Sequence, residues 1–166
     1  MSFKRELERK YKVDMSPAAA EWRLKVMYPH CLETHRGRSE DTFWTHPGVD
    51  FVRLRGITNE LTIKITDKGT TEDRIEENVV VDDMEATRRM ATALFGAPVG
   101  HLWKNYYVMR LPNAHLSLYT VDSVPGLFLE VESNNINSVR EMSESLERFL
   151  PLEREYRSLY QIGVVK

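Results

Sequence analysis

The sequence predicts an α+β fold, with about eight mostly antiparallel strands that can close into a barrel and three or four helices packed on its outside. Three observations predict it. Short runs alternating charged and apolar residues with period two recur along the chain. Most are joined by turns short enough for hairpins. Amphipathic helical stretches interrupt the strands at only a few places, after strands one, five and eight.

The first strand spans about residues 2–13 and puts Glu6, Glu8 and Lys10 on one face, with Leu7, Arg9 and Tyr11 on the other. Ser16-Pro17 reads as an N-cap with proline at the first helical position, opening a helix that Pro29 stops. Glu33 to Trp44 is a strand, and His46-Pro47-Gly48 a turn. Val49 to Gly56 sets Arg53 and Arg55 against Val52 and Leu54. Leu61 to Thr66 sets Thr62 and Lys64 against Ile63 and Ile65, and Arg74 to Val81 places Arg74, Glu76 and Asn78 together. Asp67-Lys68-Gly69 turns the chain between the last two. Asp82 and Glu85 are spaced as a capping box for a helix that Gly96 closes. Three strands follow, at about 101–109, 114–121 and 127–133, with Pro112-Asn113 and Pro125-Gly126 in the turns. Ser138 and Glu141 form a second capping box, and Glu153 to Gln161 reads as a last short helix or an irregular segment.

At 166 residues one domain, 1–166, is expected. Hydrophobic residues are 42% and charged residues 29%, the balance of a soluble globular protein. A net charge of −2 gives no global basic field, so nucleic acid is not an expected partner. The single Cys31 excludes an internal disulfide framework and a multi-cysteine zinc site. No signal-peptide pattern and no membrane-length apolar run is present, which leads to a cytoplasmic expectation. A homodimer is compatible with the sequence.

Any one alternating strand could simply expose its charges to water. Many strands with the same pattern point elsewhere. If helices cover the apolar faces of a barrel, the charged faces line its inside. The basic set is Lys10, Arg53, Arg55, Lys64, Arg74 and Lys104, and the acidic set is Glu6, Glu8, Glu76, Asp122, Glu130 and Glu132. Confining such a set is costly unless something binds there. The residue types suit phosphate chemistry: guanidinium and ammonium groups grip phosphoryl oxygens, and carboxylates hold Mg²⁺ or Mn²⁺. Walker-type, HExxH and GxSxG patterns are absent from the sequence.

These residues resemble the CYTH family, the triphosphate tunnel metalloenzymes. The resemblance rests on Glu6-Leu7-Glu8-Arg9-Lys10 (E-x-E-x-K), Asp41-Thr42-Phe43-Trp44 and Arg53-Leu54-Arg55, followed in order by Thr62-Ile63-Lys64 and Arg74-Ile75-Glu76. Asp122 with Glu130-x-Glu132, and Arg154-Glu155-Tyr156, complete it. It implies an eight-stranded antiparallel tunnel, a divalent metal (Mg²⁺ or Mn²⁺) and a small-molecule triphosphate substrate. Glu6, Glu8, Asp122, Glu130 and Glu132 would then hold metal. Lys10, Arg53, Arg55, Lys64, Arg74, Lys104 and Arg154 would bind phosphates, Lys10, Lys64 and Lys104 would act in catalysis, and Glu76 and Asn78 would complete the tunnel wall. The implied activity is hydrolysis of the terminal phosphate of an inorganic or organic triphosphate. A class IV-type adenylate cyclase, a non-catalytic phosphate binder and an RNA 5′-triphosphate end as substrate are the alternatives. The sequence departs from the family at Leu102, where a lysine is usual, and at Asn78, where some relatives carry glutamate.

Overall fold

Alternation of side chains decides what each strand can do, and two of its faces need covering. The computed structural model describes residues 4–66 and 73–164, and the side chains of residues 4–6, 66, 73 and 74 lie outside that description. In chain order the elements are β1 (Lys4–Val13), α1 (Pro17–Met27), β2 (Glu33–Trp44), β3 (Phe51–Arg55), β4 (Glu60–Thr66), β5 (Asp73–Val80) and α2 (Met84–Phe95). They continue with β6 (Gly100–Leu111), β7 (Ala114–Val121), β8 (Val124–Ser133), α3 (Ile136–Phe149), β9 (Leu152–Arg154) and α4 (Leu159–Gly163). The strands form one nine-stranded antiparallel sheet in the order β5-β4-β3-β2-β6-β7-β8-β1-β9. β1 pairs with β8 through residues 7–13 and also with β5 through residues 4–7.

The outer faces are apolar and covered by helices, as the alternation predicts. Leu7, Tyr11, Met109, Leu116, Leu118, Leu129 and Val131 are buried under α1 and α3, which contribute Ala20, Leu24, Val139 and Leu146. Trp44, Val52 and Leu54 are buried under α2 through Ala91. A third cluster lies on the inner face and is not covered from outside. It joins Phe43, Phe51, Leu102, Tyr119, Val121 and Phe128 to Leu159 of α4, with Tyr160 and Ile162 packed against it. This cluster forms an apolar floor at one end of the inward-facing surface, and α4 is its lid.

Several local expectations are corrected. The cap of α2 is Asp83, not Asp82, and its side chain accepts from the Ala86 amide. The cap of α3 is Asn135 rather than Ser138, accepting from the amides of Asn137 and Ser138. The β7–β8 turn falls at Asp122-Ser123, and Pro125-Gly126 lie inside β8, with Gly126 at φ 116. The stretch expected as a helix or irregular segment splits into β9 and α4, the latter opened by a capping box of Ser158 and Gln161. The expected turn at Asp67-Lys68-Gly69 lies outside the described residues.

Leu102 departs from a basic pattern because of this floor. It is 2% exposed, and a Cβ added at Gly163 of α4 would come within 2.7 Å of its Cδ2. A lysine there would bury an ammonium among aromatic and aliphatic groups. Leu102→Lys is therefore expected to destabilise the protein by roughly 3 kcal/mol, read from the urea midpoint, whereas Leu102→Met stays within about 1.5 kcal/mol of the parent. Equal midpoints for the two variants would contradict the buried floor.

Candidate functional site

The inner face above the floor is a cavity of about 890 Å³, and it gathers residues from β1, β3, β4, β5, β6 and β8. Strand register brings them together. Glu8 stands directly opposite Glu132, and Lys10 directly opposite Glu130, across β1–β8. Lys64 faces Glu76 across β4–β5, and Thr62 faces Asn78. Side chains with the same parity share a face, so the charges of neighbouring strands meet by construction.

The charges interlock. The Lys10 ammonium lies 3.2 Å from a Glu8 oxygen and 3.0 Å from Glu130 Oε1, and it donates to the Arg157 carbonyl at 3.2 Å. Lys64 reaches the other Glu8 oxygen at 3.1 Å and Glu76 at 2.9 Å. Arg53 donates to Thr62 Oγ1 at 3.2 Å and lies 3.8 Å from Glu76. Thr62 in turn donates to Asn78 Oδ1, whose amide donates to Glu76 Oε1. Glu8, Lys10, Arg53, Lys64 and Glu76 are each less than a tenth exposed, so these are buried pairs rather than surface ones. Breaking one side of such a pair strands a charge.

A second cluster sits beside the first. Asp41 is fully buried and accepts two hydrogen bonds from Arg55, at 3.1 and 3.2 Å, with Lys104 at 3.7 Å. Burial pushes the Asp41 carboxyl up, but the Arg55 and Lys104 charges outweigh it and hold the group well below its usual range. Burial pulls the Lys104 ammonium down to about 8, the Arg55 charge acting the same way and Asp41 against it. Tyr119 donates to Glu130 at 2.7 Å, and burial, followed by the Glu130 charge, raises its phenol well above the usual value.

Among the predicted site residues, Glu8, Lys10, Arg53, Arg55, Lys64, Glu76, Asn78, Lys104, Glu130 and Glu132 line this cavity. The backbones of Glu6 and Arg74 are paired opposite one another, and their side chains lie outside the described set. Asp122 is elsewhere. It sits in the turn beyond the end of β7 and bonds Arg38 at 2.6 Å and Asn105 at 3.3 Å, both on the outer face. Arg154 is also elsewhere, because β9 sets it opposite Tyr11, an outward-facing residue. Its guanidinium lies over the Tyr11 and Tyr156 rings. Asp41 and Tyr119 are site residues that the pattern alone did not single out.

The donors suit a hard divalent cation. Glu8, Glu130 and Glu132 offer only oxygens, and two carboxylates directly opposite each other, Glu8 and Glu132, are an unfavourable pair that a cation between them would relieve. Among the described residues no group of three His, Cys, Asp or Glu already converges on one point, and lysine ammoniums hold Glu8 and Glu130. No helix of the described residues is long and apolar enough to cross a membrane.

No protein-family model and no curated protein sequence matches the chain. Solved structures do. The PH1012 protein of Pyrococcus horikoshii OT3 aligns with a TM-score of 0.79 at 20% identity, over 95% of this chain and 99% of that one. A Hippeastrum protein named as an adenylyl cyclase candidate and described as having a dominant triphosphatase activity aligns with a TM-score of 0.63 at 17% identity, over 95% and 94%. An adenylate cyclase candidate from Vibrio parahaemolyticus aligns with a TM-score of 0.68 at 16% identity, over 97% and 98%. Likeness over nearly the whole length thus gives this chain the fold of the CYTH, or triphosphate tunnel, proteins.

Proposed function

We propose that this chain is a divalent-metal-dependent triphosphatase that releases the terminal phosphate of a triphosphate inside a closed eight-stranded tunnel. The observation that carries the reading is the cavity itself. Lys10, Lys64, Arg53, Arg55 and Lys104 line one buried space together with the carboxylates of Glu8, Glu76, Glu130 and Glu132. The β1–β5 pairing supports closure, because with it each of β1 to β8 has a partner on both sides. The similarity to a protein described as a triphosphatase supports the activity.

Each residue has a job that follows from its surroundings. Arg53, Arg55, Lys64 and Lys104 bind phosphoryl oxygens, as guanidinium forks and point charges do. Asp41 acts through Arg55 and Lys104, fixing both by a carboxylate that stays ionised. Lys10 stands between the carboxylates and the basic wall, where it can meet the phosphate undergoing transfer. Glu8, Glu130 and Glu132, with Glu6, are the residues to hold Mg²⁺ or Mn²⁺, which when bound supplies neutralisation of phosphoryl charge and orientation for in-line attack by water. The apolar floor limits the inner end, so the terminal phosphate stops in the buried half and any organic portion points to the mouth.

A cyclase using the same cavity is the second reading, supported by the similarity to structures described as adenylate cyclase candidates. The products separate them. With Mg²⁺ or Mn²⁺, the purified protein is expected to release inorganic phosphate from at least one of tripolyphosphate, thiamine triphosphate and ATP, with ADP as the nucleotide product. Cyclic AMP and pyrophosphate would favour the cyclase, and tight binding without turnover a binding module. No turnover and no binding of any of the three would overturn the triphosphate reading. Glu8→Gln is expected to lower metal-dependent turnover by about a hundredfold, with circular dichroism showing that the sheet persists.

Lys104 gives a second test, with a defined sign. Its folded value of about 8 lies below the ordinary lysine value of 10.5, so between those pH values the unfolded chain holds more protons and stability of the free protein rises with pH. A bound polyphosphate favours the charged amine and reverses the shift. Tripolyphosphate binding at about pH 9 is therefore expected to take up a proton. Calorimetry in buffers of different ionisation enthalpy reads that uptake, and Lys104→Met should abolish it. Unchanged uptake in the variant would remove Lys104 from the phosphate site.

A further inference from the structure

We propose that Glu155 is a positioning residue for Lys10, acting through the backbone carbonyl of Arg157. The proposal rests on the triphosphate reading, in which Lys10 meets the phosphate undergoing transfer, and adds what keeps that lysine in place while its charged partners change. An ammonium has three N–H donors. Those of Lys10 reach Glu8, Glu130 and the Arg157 carbonyl. A metal ion on Glu8 and Glu130 would take two of these three acceptors. The carbonyl is then the one that remains, and the flexible stem of a lysine needs such an anchor to stay aimed.

Glu155 sets that carbonyl. On one edge of β1, β5 pairs with residues 4–7 and β9 with residues 11–13. Between them the Glu155 amide donates to the Lys10 carbonyl at 3.0 Å, which docks the chain leaving β9 beside Lys10 itself. The Glu155 side chain then curls the chain back. Its Oε1 accepts from the Arg157 amide at 3.0 Å and from Arg157 Nε at 2.9 Å, and its Oε2 accepts from Nη2 at 2.8 Å. On the far side of the same carbonyl, Ser158 and Gln161 close the capping box of α4. The Arg157 carbonyl is thus held from both flanks, 3.2 Å from the Lys10 ammonium.

A carboxylate is a costly group for a joint. Glu155 is 7% exposed, and an apolar side chain would seal this position without desolvating a charge. The Arg157 hydrogen bonds outweigh burial and hold the carboxyl down to about 2, so it stays ionised. What the charge adds is the forked bond to Arg157, and with it a fixed direction for an uncharged acceptor. Lys10 can then turn its other two donors from carboxylate to phosphate without leaving the site.

The test has two readouts. With lysine nitrogens and arginine carbonyl carbons labelled, NMR of the parent should show a scalar coupling between the Lys10 ammonium nitrogen and the Arg157 carbonyl carbon. It should persist when Mg²⁺ and hydrolysis-resistant imidotriphosphate are added. Glu155→Gln should remove the coupling and lower kcat about tenfold, with KM for the hydrolysed triphosphate unchanged. Lys12→Met, which removes a second cation 3.5 Å from Glu155 and leaves the fork intact, should keep both readouts at parent values. The parent coupling needs no variant, so it decides the matter if the Glu155→Gln chain does not fold. No coupling in the parent, or coupling and kcat both retained in Glu155→Gln, would overturn the positioning role and leave the triphosphate reading standing. So would equal losses in the two variants, or a Glu155→Gln variant that changes KM alone. A parent that neither binds nor hydrolyses a triphosphate would overturn both.

Discussion

The Lys10 ammonium, buried in the cavity wall and held by Glu8, Glu130 and a backbone carbonyl, is the contact on which the inner wall depends. An unpaired charge in that position would be far too costly for a fold of ordinary stability. The ion pairs extend from it without a break. Glu8 joins Lys10 to Lys64, and Lys64 joins Glu8 to Glu76. Strands β1, β4, β5 and β8 are thus tied by charge on the inside while helices hold them by apolar contact on the outside. The wall neutralises itself when no ligand is bound, and it does so with groups whose other natural partners are phosphates and metal ions.

With the inner face given over to charge, the hydrophobic core has moved outward, under α1 and α3 on one side and α2 on the other. Among the described residues, the inward-facing apolar cluster lies at the end closed by α4. Leu102 belongs to it, and that assignment removes the puzzle of a leucine at a usually basic position. The residue serves the floor, while Lys104 two positions on serves the wall.

Much of this is legible in the sequence because period-two alternation is clear in β3, β4 and the second half of β8, where Arg53 and Arg55, Thr62 and Lys64, and Glu130 and Glu132 alternate with apolar residues. In β1 and β5 it is looser, since Arg9 and Glu77 fall on the otherwise apolar parity, but the charged parity of each still marks the inner face. Asp41 is harder. Its neighbours Glu40 and Thr42 are polar too, because outside the sheet they meet Arg88 and His101, and so no alternation marks which side is inside. The fates of Asp122 and Arg154 were also hidden. One depends on where a turn falls after a register irregularity between Thr120 and Val121, the other on a three-residue strand laid beside β1. Short elements such as β9 and α4 have little periodicity of their own, and tertiary contacts decide them. The two misassigned caps are shifts among neighbouring Asp, Asn and Ser residues, any of which can accept from a helix amide.

On the proposed triphosphatase reading, lysines and carboxylates hold one another only until each finds its ligand. Phosphate drawing Lys10 and Lys64 away would leave Glu8 and Glu130 bare, and a cation on Glu8 and Glu130 would free the lysines. Each ligand would then prepare the site for the other, and such coupling is reciprocal. The most direct measurement is a calorimetric titration of imidotriphosphate at rising fixed Mn²⁺, together with the converse titration of Mn²⁺ at rising imidotriphosphate. After correction for the metal complex formed in solution, each ligand should tighten the other by the same factor, about tenfold or more. Affinities that do not depend on the second ligand would contradict the account.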